Sequence, residues 1–216
     1  LADLNKPLLK DLSISAPGTF QHSLQVSNLS QAAAEKIGAN SLLIKIAALY
    51  HDIGKLSDPM IFIENVGYGR NPHEQLSYIE SAKKIIAHVS EGEKLAKTYG
   101  LPKEIISMIR THHGTTKVEF FYRKQQEEHP DELIDDAAFT YPGPKPVTKE
   151  ETILLLADSI EATSKSLNLP TAQEIDDLVD TITLDKIKQG QLSESKLNYR
   201  EMVVCKNIFK DLLKSI

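Results

Sequence analysis

The chain has 216 residues, 41% hydrophobic and 25% charged, enough to bury a sizeable core in one or two globular domains. Its formal net charge is −5 with no long basic run, which argues against a groove that reads a nucleic-acid polymer through its backbone. A small anionic ligand stays open, because metal ions can supply positive charge locally.

The single cysteine, Cys205, excludes an internal disulfide framework and fits a reducing compartment. No apolar run approaches the roughly 20 residues that span a bilayer, and no signal peptide is visible. The chain starts at Leu1 rather than Met, as expected of a piece of a longer protein.

Helical periodicity dominates, and no region sustains a period of two, so the expected fold is all-α. The first helix is expected from about His22 to Ile37, with Val26, Leu29, Ala33 and Ile37 on one stripe and Gly38 as its stop. Asn40 or Ser41 can cap a second helix from Leu42 to about Lys55. It places Leu43, Ile46, Ala47, Leu49 and Tyr50 toward a core and His51-Asp52 in mid-helix. A loop from Ser57 to His73 follows, broken by Pro59, Gly67, Gly69 and Pro72.

A third helix starts near Leu76 and carries Ile79, Ala82, Ile85, Ile86 and Val89 before Gly100. Pro102 reads as the first residue of a fourth, in which Ile105, Ile106 and Ile109 lead to His112-His113 and Gly114. Residues 115–147 mix a polar stretch of helix, Glu119 to Glu128, with the loop Tyr141-Pro-Gly-Pro-Lys-Pro. The Phe120-Phe121-Tyr122 run within it reads as core. Thr148-x-x-Glu151 and Thr171-x-x-Glu174 are capping boxes that open two further helices, the first running through Ile153-Leu154-Leu155-Leu156-Ala157-Asp158. A last amphipathic helix, about Lys196 to Leu213, uses Tyr199, Val203, Phe209 and Leu212.

His22, His51, Asp52, His88, His112, His113 and Asp158 sit at or beside the apolar seams of five of these helices. A lone histidine in such a place is ordinarily a hydrogen-bonded packing residue. A histidine–aspartate pair with further ligands recurring on four other helices points instead to an assembled metal site, since burying imidazole and carboxylate together is costly unless something compensates. The set suffices for two ions if Asp52 bridges: His22, His51, Asp52 and Asp158 around one, and Asp52, His88, His112 and His113 around the other. Two such ions can activate a hydroxide between them and clamp a phosphoryl group, so Asp52 is the expected catalytic centre. The nitrogen-rich set suits Fe, Mn or Zn and disfavours calcium. Lys55, four residues after His51, is expected to clamp phosphate and act in catalysis. In the loops, Tyr68 is a candidate to stack on a base, Arg70 and Thr115 to contact phosphate, and Asn71 to touch substrate.

At these residues the chain resembles the HD superfamily of metal-dependent phosphohydrolases. The segments His22-Ser-Leu24, Tyr50-His-Asp-Ile-Gly-Lys55, Phe62-Ile-Glu-Asn65, Asn71-Pro-His73, His112-His-Gly-Thr-Thr116, Tyr141-Pro-Gly-Pro-Lys-Pro146 and Leu156-Ala-Asp-Ser159 are similar, in order and interval, to the HD domain of PgpH-type receptors. Those are bacterial membrane proteins with seven transmembrane helices.

The resemblance implies hydrolysis of cyclic di-AMP to linear pApA at a dinuclear Fe or Mn centre. It implies a soluble domain over residues 22–216 after a lead-in segment, 1–21, on the cytoplasmic face of the membrane that the remainder of the protein crosses. The Gly-Tyr-Pro signature of cyclic di-GMP enzymes is missing after His112-His113, which disfavours that substrate. Two alternatives remain open: an HD hydrolase of another nucleotide, an alarmone or cyclic di-GMP, and a nucleotide-sensing module whose metals are only structural.

Overall fold

Capping boxes open four of the helices in the computed structural model. It describes residues 1–67, 69–131 and 133–215. The helices are α1 (Pro7–Ser15), α2 (Pro17–Ile37), α3 (Ser41–Tyr50), the single turn α4 (Ile63–Val66), α5 (Tyr78–Thr98), α6 (Lys103–Thr111), α7 (Glu119–Glu128), α8 (Lys149–Ser164), α9 (Ala172–Lys188) and α10 (Tyr199–Leu213). Among the described residues there is no strand, only an isolated antiparallel bridge between Lys117 and Thr140. The all-α expectation holds. Among those residues, no helix is long and apolar enough to cross a membrane.

Both capping boxes read from the sequence form, at Thr148–Glu151 and Thr171–Glu174, and two more form at Ser77–Glu80 and Asn198–Glu201. In each, the cap side chain and the acid three residues on satisfy otherwise orphaned backbone N–H groups. The Glu151 carboxylate also accepts from Ser107 Oγ at 2.6 Å, which ties the start of α8 to α6.

The core is organised around α2, which packs along α3, α8 and α10. Helix α8 is buried nearly all round: Ile153, Leu154, Leu155, Leu156 and Ala157 are all inaccessible to solvent. A helix apolar on every face belongs in a protein centre, and each buried leucine there contributes roughly 1.5–3 kcal/mol relative to an exposed one. Residues 1–21, expected as a lead-in, carry α1 and the first turn of α2, and Leu8, Leu9 and Leu12 join the main core. Proline at position 7 and again at 17 starts each of these helices, a local signal independent of any long apolar stripe.

Three other expectations are corrected. Pro102 is the N-cap of α6, not its first residue, because its ψ of 149° is extended. Tyr199 is 78% exposed; α10 buries Cys205 and Phe209 instead. The third correction concerns His51-Asp52. Helix α3 ends at Tyr50, His51 is its C-cap, and Asp52 leads into a 3-10 turn, Ile53–Ser57. The turn presses against α5 so closely that a Cβ on Gly54 would lie 1.8 Å from the His88 carbonyl oxygen and 2.4 Å from the Gly92 amide. Only glycine permits that approach, and the approach is what carries Asp52 to His88.

Candidate metal centre

The ligand residues arrive from five places: His22 from α2, His51 and Asp52 from the end of α3, His88 from α5, His112 and His113 from the end of α6, and Asp158 from α8. His51 and His112 occupy helix C-caps, where the backbone turns away and the ring can swing inward. His51 and His112 are fully buried, and His22, Asp52, His88 and Asp158 nearly so; His113 is partly exposed.

Three of the rings are aimed by the same device. His51, His88 and His112 each set Nδ1 against the carbonyl three residues earlier, at Ala48 (2.7 Å), Ile85 (2.5 Å) and Ile109 (2.7 Å). A carbonyl oxygen only accepts, so Nδ1 is the donor and, in the neutral ring, Nε2 offers its lone pair to the centre. His22 is held by a carboxylate, with Nδ1 on Glu161, while its Nε2 lies 2.9 Å from Asp158 Oδ1.

The two clusters expected from the sequence are both present. His22, His51 and Asp158 bring ligand atoms to within 4.8 Å of one another, and so do Asp52, His88, His112 and His113. Asp52 faces both. Its Oδ2 is 3.4 Å from His51 Nε2 and 3.7 Å from His22 Nε2, while Oδ1 is 3.3 Å from His88 Nε2 and 3.7 Å from His112 Nε2.

The residues fit metal ions on an observation independent of their identity. His51 Nε2 and Asp52 Oδ1 are buried without any hydrogen-bond partner, at a cost of about 1–3 kcal/mol each if nothing else satisfies them. His88 Nε2 and His112 Nε2 face each other at 3.1 Å with both Nδ1 atoms already bonded to carbonyls. A cation among them answers all of these atoms at once.

Electrostatics agree. Burial, then the neighbouring His51 and His88, pushes the His112 imidazole down to about 3; burial also lowers His88 and holds His113 well below its ordinary value. These rings are therefore neutral, the form that binds metal. Burial opposes ionisation of Asp52, yet Lys55, His51, His88 and His22 hold its carboxyl well below the usual range. Asp158 is likewise held well below the usual carboxylate range against its burial, by the hydrogen bond from His22. Burial works against a charge on His22, but its bonds to Asp158 and Glu161 prevail and push it up to about 9.

Lys55 stands on the 3-10 turn, not one helical turn beyond His51. Its Nζ lies 2.8 Å from Asp52 Oδ2, 2.7 Å from Glu64 Oε1 and 4.8 Å from the Phe62 ring centre. Burial opposes its charge, but Asp52 and Glu64 raise its pKa above the ordinary lysine value. It lines a cleft of about 420 Å³ over the clusters, together with Asp52, Phe62, His88, Tyr141 and Lys165.

The loop candidates lie further out. Arg70 is exposed and is not among the residues lining the cleft. Asn71 caps the short 3-10 turn Pro72–Gln75 and borders a neighbouring cavity. Thr115 directs its amide and its hydroxyl to Gln191 Oε1, at 2.9 and 3.2 Å. Tyr68 lies outside the described residues.

Two residues at the centre were missed in the sequence. Glu161, which holds His22, is three residues after Asp158 and so on the same helix face, a spacing that could have marked it. Tyr141 stacks on His113, with ring centres 4.2 Å apart and planes 26° apart. It is pinned there by backbone bonds that join Tyr141 to Thr116 and Val118 to Phe139, each 2.8 Å. No local pattern announces such a long-range pairing.

Helices that deliver a His…His-Asp…Asp set from these positions define a class, and the chain belongs to the HD domain family, which matches residues 19–163. Its resemblance to PgpH-type HD domains is borne out. The chain is 43% identical over 202 residues to the cyclic-di-AMP phosphodiesterase PgpH of Bacillus subtilis, covering 94% of this chain and 28% of that protein. It is 40% identical over 216 residues to the PgpH of Listeria monocytogenes, covering all of this chain and 30% of that protein. The chain thus spans less than a third of the curated relatives it matches. The crystal structure of the L. monocytogenes PgpH HD domain in complex with cyclic-di-AMP superposes with a TM-score of 0.94 at 39% identity, covering 99% of both chains.

Proposed function

We propose that this chain is the catalytic domain of a phosphodiesterase that opens cyclic di-AMP to pApA, with Asp52 shared between two transition-metal ions. The observation that carries the reading is the division of the ligands into two clusters with one oxygen of Asp52 turned to each. The choice of substrate is supported by the near-complete likeness to an HD domain solved with cyclic-di-AMP.

His22, His51, Asp52 and Asp158 would hold one ion, and Asp52, His88, His112 and His113 the other. Nitrogen and carboxylate donors without cysteine suit Fe or Mn, with Zn also compatible. When bound, the metals supply Lewis acidity toward a phosphoryl oxygen and lower the pKa of an attacking water. Backbone carbonyls three residues back keep the His51, His88 and His112 rings in register, and Glu161 keeps His22. Lys55, with two of its three N–H groups engaged by Asp52 and Glu64, keeps the third for a phosphoryl oxygen. Phe62 and Tyr141 form apolar walls that strengthen these charge interactions by excluding water.

The same reading places the domain on the cytoplasmic face of the bacterial membrane, joined to the rest of a longer receptor. Coverage of less than a third of its PgpH relatives supports the longer protein, and the membrane face rests on the resemblance to PgpH-type receptors alone. The discriminating experiment is a panel of cyclic dinucleotides, linear dinucleotides and an alarmone offered to Mn-reconstituted protein. The expected result is cyclic di-AMP turned over fastest, with pApA accumulating before any AMP. A dinuclear site grips one phosphodiester at a time, and the linear product must release and rebind for a second cut. Equal rates on cyclic di-AMP and pApA would mean a general phosphodiesterase, and no turnover at all would leave the sensing alternative.

A further inference from the structure

The turn that carries His112 and His113 is held from a part of the chain that the metal centre does not otherwise use. Helix α9 closes with the Gly190 amide on the Ile187 carbonyl at 2.9 Å and the Gln191 amide on the Lys186 carbonyl at 3.0 Å. This is the Schellman pattern, in which the residue at the place of Gln191 is commonly apolar and packs back on its own helix. Here it is a glutamine, 2% exposed. A buried amide needs hydrogen-bond partners, and this one finds them 76 residues back along the chain, at Thr115.

Gln191 Oε1 accepts from the Thr115 amide at 2.9 Å, and the Thr115 hydroxyl lies 3.2 Å from both Oε1 and Nε2. The neighbouring amides of the turn reach backbone carbonyls, Gly114 on Thr111 at 2.8 Å and Thr116 on His113 at 3.1 Å. Thr115 has Gln191 in their place. The fit is close, since a Cβ on Gly114 would stand 2.5 Å from Gln191 Oε1.

His113 depends on this turn more than its fellow ligands do. The rings of His51, His88 and His112 are each set by a carbonyl, and that of His22 by Glu161. Among the described residues, no hydrogen bond of that kind reaches the His113 ring; its Nδ1 is 3.6 Å from Asp158 Oδ2 and Tyr141 stacks on its face. The His113 carbonyl accepts from the Thr116 amide and hydroxyl, and Tyr141 donates its own amide to the Thr116 carbonyl. Ring and stacking partner therefore share one anchor, which Gln191 holds from behind.

We propose that Gln191 is a positioning residue for the second metal site, fixing His113 as a ligand beside Asp52, His88 and His112. The assignment rests on the dinuclear reading. What it adds is control over one ion and not the other, from a residue beyond the segment 19–163 that matches the HD domain family. Without the glutamine acceptor the Thr115 amide is left unpaired, and the turn must shift to satisfy it. The first cluster is aimed by Glu161 and the Ala48 carbonyl, so it should keep its ion.

Calorimetric titration with Mn and electron paramagnetic resonance test it. Gln191→Met keeps the length of the side chain and removes the acceptor. One of the two Mn steps should weaken by about 10–100-fold, the scale of a lost partner to a ligand, while the other stays within about threefold of wild type. At two equivalents of Mn, the signal of coupled Mn pairs should give way to that of isolated Mn. Gln191→Glu, which restores an acceptor for the Thr115 amide, should recover most of the loss. His113→Ala identifies the site: adding Gln191→Met to it should cost no further affinity if the glutamine acts through His113.

Wild-type binding in Gln191→Met, equal loss of both steps, no recovery in Gln191→Glu, or additive losses in the double variant would each overturn the assignment and leave the dinuclear reading standing. An unmutated protein that takes up a single Mn defeats the dinuclear reading, and the assignment falls with it.

Discussion

The floor and the outer wall of the cleft are built in opposite ways. On the floor, ligands lie on helices or at their ends, are buried almost throughout, and are aimed by backbone carbonyls three residues back or by Glu161. The wall, residues 57–67 and 69–75, is a chain of 3-10 turns and the single helical turn α4, with Met60 and Ile63 more than half exposed. The floor is held by the same packing that folds the protein, so its geometry is preorganised for chemistry. The wall is tied down at few points, among them Glu64 on Lys55 and Asn65 on Thr19 and the Pro59 carbonyl. Changes to the floor should therefore alter kcat and metal content, and changes to the wall should alter KM.

The largest break in that division is expected at Asp52. Asp52→Asn keeps the shape but takes a carboxylate from both clusters, and hydrolysis should fall on the order of 10³-fold or more, as when one member of a cooperating set is lost. Turnover of cyclic di-AMP, with circular dichroism to confirm the fold, measures it. Lys55→Ala should leave metal content intact and lower kcat by roughly 10–1,000-fold, the scale of a lost electrostatic stabiliser. If Lys55→Ala turns over normally, the lysine serves only the ion pairs with Asp52 and Glu64.

Glu161→Gln should weaken Mn binding by about 10–100-fold, read by calorimetry, because a partner that orients a ligand histidine tunes its affinity; unchanged affinity would reduce Glu161 to a packing role. Arg70→Ala, on the wall, should raise KM by roughly 2–5-fold with kcat unmoved, the scale of one exposed charge contact. A fall in kcat there would show that the wall takes part in the chemistry.

Acid should act most strongly on the floor, although Glu64 on the wall is also held below the ordinary carboxylate range, by Lys55 against its burial. In the metal-free protein His112 is depressed to about 3 and Asp52 and Asp158 are held well below the ordinary carboxylate range. A group with a depressed folded pKa stabilises above its unfolded pKa and loses that contribution as pH falls. Stability should therefore drop from near 6.5, the ordinary imidazole value, downward. His22, raised to about 9, has the opposite sign: its contribution is complete below 6.5 and is lost as pH rises through 9. Thermal denaturation across pH 3–10 should show both flanks, and saturating Mn should flatten the alkaline one.

The same division explains what the sequence could reveal. His22, His88 and Asp158 were legible because helical periodicity places them on core seams, and the Thr148 and Thr171 boxes were legible because capping is local chemistry. The end of α3 was not, since nothing in Leu49-Tyr50-His51-Asp52 breaks a helix; the break comes from Gly54 meeting α5, a contact 34 residues away in the chain, at His88. Tyr141 depends on pairing with Thr116, and the placement of Phe120, which is 64% exposed and not in the core as its sequence run suggests, depends on where α7 lies against the wall. Such features are set by tertiary contact and have no local signature. Arg70 and Thr115 stand close to the ligand motifs in sequence, yet the structure sets one in solvent and the other on Gln191.

Anomalous diffraction from crystals of the Mn-reconstituted protein tests the central claim most directly. The account predicts two peaks, one among His22, His51 and Asp158 and one among His88, His112 and His113, with a different oxygen of Asp52 on each. A single peak at full occupancy, or two peaks with Asp52 on only one of them, would contradict it.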